Sequence, residues 1–156
     1  MLELRRDDGY ELSSDRARID LPRVHRWLST DAYWAMGRPI ERMRAAIEGS
    51  EPYGIYRGDE QVAVARIVTD STIFAYLCDV YVDREHRGKG LGGWLVDSLC
   101  DHLAGRGLTR FLLVTRDAQP LYARHGFTAV DPGRWRVCDL GHTQRPEGVP
   151  GLTVQP

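Results

Sequence analysis

Four glycines fall within six residues, Gly88, Gly90, Gly92 and Gly93, between a β-branched run and a helical one. Val80-Tyr81-Val82 before them has the composition of a strand end. Trp94, Leu95, Val96 and Leu99 after them have helical spacing. A strand that passes through a basic, glycine-rich turn into a helix gathers backbone N–H groups at one point. The first turn of a helix has unpaired donors and a partial positive charge, and glycine lets an anion reach the backbone with no Cβ in the way. Arg87 and Lys89 add formal charge. The turn is therefore expected to cradle a pyrophosphate; the plainer alternative is a glycine-rich connector that binds nothing.

Bulk properties narrow the function classes. The 156 residues suffice for one domain with a proper core. A net charge of −1 gives no broad basic face for nucleic acid. No apolar run approaches the roughly 20 residues needed to span a bilayer, and Met1-Leu2-Glu3-Leu4-Arg5-Arg6-Asp7-Asp8 is too charged for a signal peptide. Cys78, Cys100 and Cys138 are odd in number, widely spaced and lack a C-x-x-C pair, which predicts reduced thiols in a cytoplasm and no structural zinc. His25, His86, His102, His125 and His142 show no ligand spacing. The expectation is a cytoplasmic protein with no metal, no nucleic-acid partner and no membrane association.

Along the chain, residues 10–14 suit a short first strand. Asp20 is placed as the N-cap of a helix with Pro22 in its first turn and Val24, Trp27 and Leu28 on its apolar stripe. Residues 29–39 are irregular. A second helix is predicted over 40–48 and closed by Gly49. Residues 53–57, 61–69 and 72–82 form three antiparallel strands joined by turn-like Gly58-Asp59 and Asp70-Ser71. The helix after the glycine turn runs to about residue 104. Residues 111–115 suit a strand buried on both faces, 118–125 a short helix closed by Gly126, and 127–130 and 135–140 two last strands. Residues 1–140 are expected to form one domain, and 141–156, rich in Gly and Pro, a loosely ordered tail. The class is α/β in the α+β sense: a mixed, mainly antiparallel central sheet flanked by helices, with one right-handed crossover from residue 72 to 115.

Gly88-Lys89-Gly90-Leu91-Gly92-Gly93 satisfies G-x-G-x-x-G, which keeps a nicotinamide-dependent oxidoreductase in view, with Asp117 as the acid after the next strand. The antiparallel strands before the motif argue against it, and a Walker A loop is excluded because Lys89 is not followed by Ser or Thr. The same letters spell Arg87-x-x-Gly90-x-Gly92, and a second block reads Leu121-Tyr122-Ala123-Arg124-His125-Gly126-Phe127. In these two blocks the chain resembles the GCN5-related N-acetyltransferase (GNAT) family, and in element order it does so over about residues 20–140. The family usually has Asn near Thr115, so one cofactor contact is expected to be altered.

The resemblance implies the GNAT fold and an acetyl-CoA-dependent transferase. It places the CoA pyrophosphate on the amides from Arg87 through Gly88, Lys89, Gly90 and Leu91 to Gly92, with Gly93 and Trp94 opening the helix. It lays the pantetheine arm along the edge of Val80, Tyr81 and Val82, like an added strand, with Thr115 nearby. It makes Tyr122 the general acid that protonates the CoA thiolate. It builds the acceptor pocket from the segment holding Asp31, Tyr33 and Trp34, and puts Tyr76 where some members carry a catalytic acid. Asp79, a carboxylate inside an apolar run, has to be paired, hydrated or functional. A general base, an attractor for the amine and a structural role are all open for it, as is a water chain in its place. Asp31, Tyr33 and Trp34 either hold the amine or cap the core. Cys78 is expected to be a small buried hydrophobe, and His125 a charge at a helix C-terminus. The acceptor is expected to be a small-molecule or peptide primary amine. A non-catalytic acyl-CoA sensor is the alternative from another class, and a homodimer is the expected assembly.

Overall fold

The computed structural model describes residues 1–136, and its elements follow the local chemistry closely. Strands β1 (Glu3–Arg5) and β2 (Tyr10–Ser13) precede helices α1 (Leu21–Asp31) and α2 (Ile40–Glu48). Strands β3 (Glu51–Arg57), β4 (Glu60–Thr69) and β5 (Phe74–Val82) form a meander. Helix α3 (Leu91–Gly105), strand β6 (Arg110–Leu113) and helix α4 (Gln119–Arg124) complete the described chain. Asp20 caps α1 by accepting from the Arg23 amide at 3.0 Å, with Pro22 in the first turn. Gly49 closes α2. Among the described residues no helix is long and apolar enough to cross a membrane.

The strands form one sheet in the order β1-β2-β3-β4-β5-β6. Every neighbouring pair is antiparallel except β5 and β6, which run parallel because α3 carries the chain back across the sheet. Helices cover both faces. On one, Val24, Trp27, Leu28, Met43 and Ile47 of α1 and α2 pack on Val64 and Tyr81. On the other, Leu91, Leu95, Leu99 and Leu103 of α3 pack with Tyr122 on Ile55, Ala65, Ala75 and Leu77.

Three expectations are corrected. The sheet begins with β1, a strand of exposed residues held by its register with β2, Leu4 opposite Leu12, and not by burial of its own side chains. Residues 127–130 are not a strand. Strand β6 stops at Leu113; Arg110 is exposed and the other three residues are half-buried, so the strand is not enclosed on both faces. The strand expected over 135–140 and the tail at 141–156 lie largely or wholly outside the described residues, as do Cys138 and His142.

Candidate active site

Strand β5 holds the irregularity that shapes the site. Asp79 has φ 51, a left-handed conformation that non-glycine residues seldom adopt and Asp tolerates better than most. The register with β4 shifts at the same place, between Val64 and Arg66. This is a β-bulge, a device common beside active sites. Its effect is visible in the packing: Ala75 and Leu77 face the α3 side, while Tyr81, which strict alternation would put with them, packs on the α1 and α2 side. Parallel pairing with β6 ends at Leu77 and Leu113. Beyond that point β5 and the chain after β6 part, leaving the edge of residues 78–82 without a strand partner among the described residues.

The glycine turn lies at the open end of this wedge. Asp83 caps a single helical turn, Arg84–His86, and the Arg87 amide donates back to the Arg84 carbonyl at 3.3 Å. Gly88 and Gly90 then adopt φ 74 and 73, and Gly90 is the N-cap of α3. The amides of Gly88, Lys89, Gly90, Leu91, Gly92 and Gly93 have no acceptor among the described residues, and they run into the positive end of a long helix. Gly93 also packs closely: a Cβ there would stand 3.3 Å from His125 Nε2, a tight contact to which the imidazole would have to yield. His125 itself bonds through Nδ1 to Asp97, tying α4 to α3.

The side chains expected to charge the turn are partly engaged. Arg87 Nε donates to the Val82 carbonyl at 2.9 Å and its Nη2 to Asp31 at 3.3 Å, with the guanidinium over the Tyr81 ring. Arg84 forms a two-pronged pair with Asp31, and the Tyr81 hydroxyl donates to the same carboxylate at 2.6 Å. The Arg84 hydrogen bond first, and then that of Tyr81, hold the Asp31 carboxyl well below the usual carboxylate range. Lys89 Nζ lies 3.4 Å from the Tyr10 hydroxyl.

Between β5, the chain after β6 and α4 lies a cleft of about 450 Å³. It gathers Tyr33, Trp34, Tyr76, Asp79, Val80, Thr115 and Tyr122 from distant parts of the sequence. Asp31 is not among the lining residues; it faces the arginines of the turn. Tyr122 is 9% exposed, and its hydroxyl has no hydrogen-bond partner among the described residues. Burial raises its pKa above the ordinary tyrosine value. Thr115 Oγ1 accepts from the Ala118 amide at 3.0 Å and so shapes the entry to α4. The Tyr33 hydroxyl accepts from the Arg116 amide at 3.1 Å, and the Arg116 guanidinium sits 3.6 Å from the Tyr33 ring centroid. Cys78 also lines the cleft, half-buried, with burial raising its thiol pKa.

Asp79 is fully partnered. Its Oδ2 accepts from Arg66 Nε at 2.8 Å and Arg38 Nη1 at 2.9 Å, and its Oδ1 from Trp34 Nε1 at 3.1 Å. Sequence reasoning did not find Arg38 and Arg66. A signal existed for Arg66, a lone cation in an apolar strand adjacent to the strand with a lone acid. Arg38 lies in an irregular loop, where no periodicity marks it.

The sequence profile of the acetyltransferase (GNAT) family matches residues 21–127. The acetyltransferase candidate FG08082 of Gibberella zeae is 31% identical over 136 residues, covering 74% of this chain and 77% of that one. A solved GNAT acetyltransferase candidate from Xanthomonas campestris pv. campestris is 42% identical with a TM-score of 0.74, covering 78% of this chain and 85% of that one. An acetyltransferase candidate from Clostridium acetobutylicum, solved with acetyl-CoA, has a TM-score of 0.62 at 18% identity, covering 86% and 97% of the two chains. The chain belongs to the GNAT family of acetyltransferases. It is an acyltransferase enzyme of that family, which uses acetyl-CoA.

Proposed function

We propose that the protein transfers the acetyl group of acetyl-CoA directly to a primary amine, with Tyr122 as general acid. One observation carries the reading. The consecutive amides of residues 88–93 lack acceptors among the described residues, and they stand at the mouth of a wedge whose strand edge is unpaired. A diphosphate satisfies such donors, and an amide-bearing arm satisfies the edge of residues 78–82 as an added strand would. The Clostridium acetobutylicum structure with acetyl-CoA supports the choice of ligand.

In this reading the amine nitrogen attacks the thioester carbonyl and the C–S bond breaks. Sulfur takes the Tyr122 proton, and the proton shed by the amine passes through water in the cleft and restores the Tyr122 phenol. A backbone N–H of β5 near Val80 polarises the carbonyl as charge builds on its oxygen. Tyr33, Trp34 and Tyr76 line the acceptor end. Asp79, with both oxygens engaged, positions Arg38, Arg66 and Trp34 and is not assigned the base.

Thermal shift with acetyl-CoA, CoA and NAD tests the ligand, and thiol release over an amine panel tests the chemistry. Stabilisation by both CoA species and amine-dependent thiol release are expected. Stabilisation by NAD alone would point to an oxidoreductase. Binding of acetyl-CoA with no release over any amine would leave a sensor.

A further inference from the structure

The acceptor end of the cleft is built around two arginines that share one buried carboxylate. Arg38 and Arg66 both line it, and both point at one carboxylate, Asp79 Oδ2. In the buried cluster two cations share one anion; the other acid of the cleft, Asp117, is 62% exposed and lies beside Arg116. The Asp79 side chain is 4% exposed, that of Arg66 13% and that of Arg38 24%. The cluster is therefore sheltered from water, and its charge is weakly screened.

The donors are also incompletely used. A guanidinium carries five N–H donors. Among the described residues, Arg38 spends a single nitrogen, Nη1, on Asp79. Arg66 spends Nε on Asp79 and Nη1 on the Ala46 carbonyl at 3.3 Å, leaving Nη2. Both arginines bond to Asp79 Oδ2, and its Oδ1 takes its bond from Trp34 Nε1, so the remaining guanidinium donors have no acceptor on Asp79. Two half-satisfied guanidinium groups in a sheltered pocket favour a planar anion that accepts in parallel from a fork.

We infer that the acceptor is a small amine that also carries a carboxylate, as in an α-amino acid, and that Arg38 and Arg66 bind that carboxylate while the amine faces the thioester. The inference rests on the acetyl-CoA reading above and narrows its substrate. It disfavours polyamines, whose second ammonium would be held against the two arginines. Tyr33, Trp34 and Tyr76 supply apolar walls for the rest of the acceptor.

Matched pairs test the point: tyrosine with tyramine, phenylalanine with phenethylamine, lysine with cadaverine, each assayed by thiol release with acetyl-CoA. The carboxylate-bearing member should have the higher kcat/KM by about ten- to hundredfold, the worth of a hydrogen bond to a charged group. Arg38→Gln should erase that preference by raising KM for the acid while leaving KM for acetyl-CoA unchanged, and Arg38→Lys should restore part of it. Equal or greater turnover of the decarboxylated amines would overturn the inference and leave acetyl transfer standing. A loss in Arg38→Gln equal for both members would also overturn it, since that is the mark of a merely structural arginine. Should no pair turn over, calorimetric titration of the acids into the CoA-saturated protein decides, and absence of binding overturns it. Failure of CoA itself to bind would strike the acetyl-CoA reading, and the same titration into the free protein would still judge Arg38.

Discussion

Tyr122 packs edge-on against Phe127, with ring centroids 5.7 Å apart, and lines the cleft. A buried phenol with an unspent proton is suited to meet a leaving thiolate. Because burial raises its pKa above 10, the group stays protonated through the neutral and mildly alkaline range. Loss of this proton therefore sets no alkaline limit on turnover until the pH passes the ordinary tyrosine value. Tyr122→Phe should lower kcat by about 10²- to 10⁴-fold with acetyl-CoA affinity nearly unchanged, since the ring remains and only the hydroxyl goes. Steady-state kinetics with an acetyl-CoA titration checks this, and an unchanged kcat removes Tyr122 from the chemistry. The residue was legible in sequence only through its block with Gly126 and Phe127. Asp79 was legible as an anomaly, a carboxylate in an apolar strand, but its role was not. Its partners Arg38 and Arg66 lie 41 and 13 positions away, a separation that local patterns do not report.

Among the elements, the turn between β5 and α3 holds the most information per residue. Gly90 has φ 73 and open space where a Cβ would stand, so its requirement is conformational and not steric. Gly90→Ala should cost about 1–2 kcal/mol of stability by forcing an L-residue into the left-handed region. If the backbone relaxes to avoid that cost, the free amides turn away and acetyl-CoA binding weakens. Gly90→Asn, which tolerates this region better, should retain more of both. Denaturant melts and calorimetry with acetyl-CoA measure the two effects separately. Elements were readable where one face is apolar: α2 was bounded to the residue, and the β3-β4-β5 meander to within a few. They were unreadable where backbone pairing alone decides. Strand β1 has exposed side chains throughout, so nothing in its composition marks it. The pairing of β6 ends at Leu113 opposite Leu77, two residues before the bulge at Asp79 on the neighbouring strand, a coincidence of place that no local pattern in β6 reports.

The two helical layers are joined across the whole molecule at the turn. Asp31, the last residue of α1, takes hydrogen bonds from Arg84, Arg87 and Tyr81, and so connects the α1 and α2 layer to the loop that enters α3. Trp27, one turn earlier on the same helix, stacks on Tyr81 with centroids 5.4 Å apart and donates to Asp83 Oδ2 at 3.0 Å. The helix thus grips the turn at both its entry and its basic side. Two roles for Asp31 make opposite demands. If it holds the acceptor amine, its removal raises KM for the amine. If it orders the phosphate turn, its removal raises KM for acetyl-CoA. The geometry favours the second, because the carboxylate is engaged by the turn and does not line the cleft. Asp31→Ala should therefore lower Tm and weaken acetyl-CoA binding while KM for the amine stays unchanged. The Asp31 interactions in the wild-type protein depend on an ionised carboxylate whose folded pKa is depressed, so their contribution is present above the unfolded pKa and fades as pH falls through the folded one. The difference in Tm between wild type and Asp31→Ala should accordingly be full at neutral pH and shrink progressively once the pH falls below the ordinary aspartate value of about 4. A variant that loses amine affinity and keeps acetyl-CoA affinity would return Asp31 to the acceptor side.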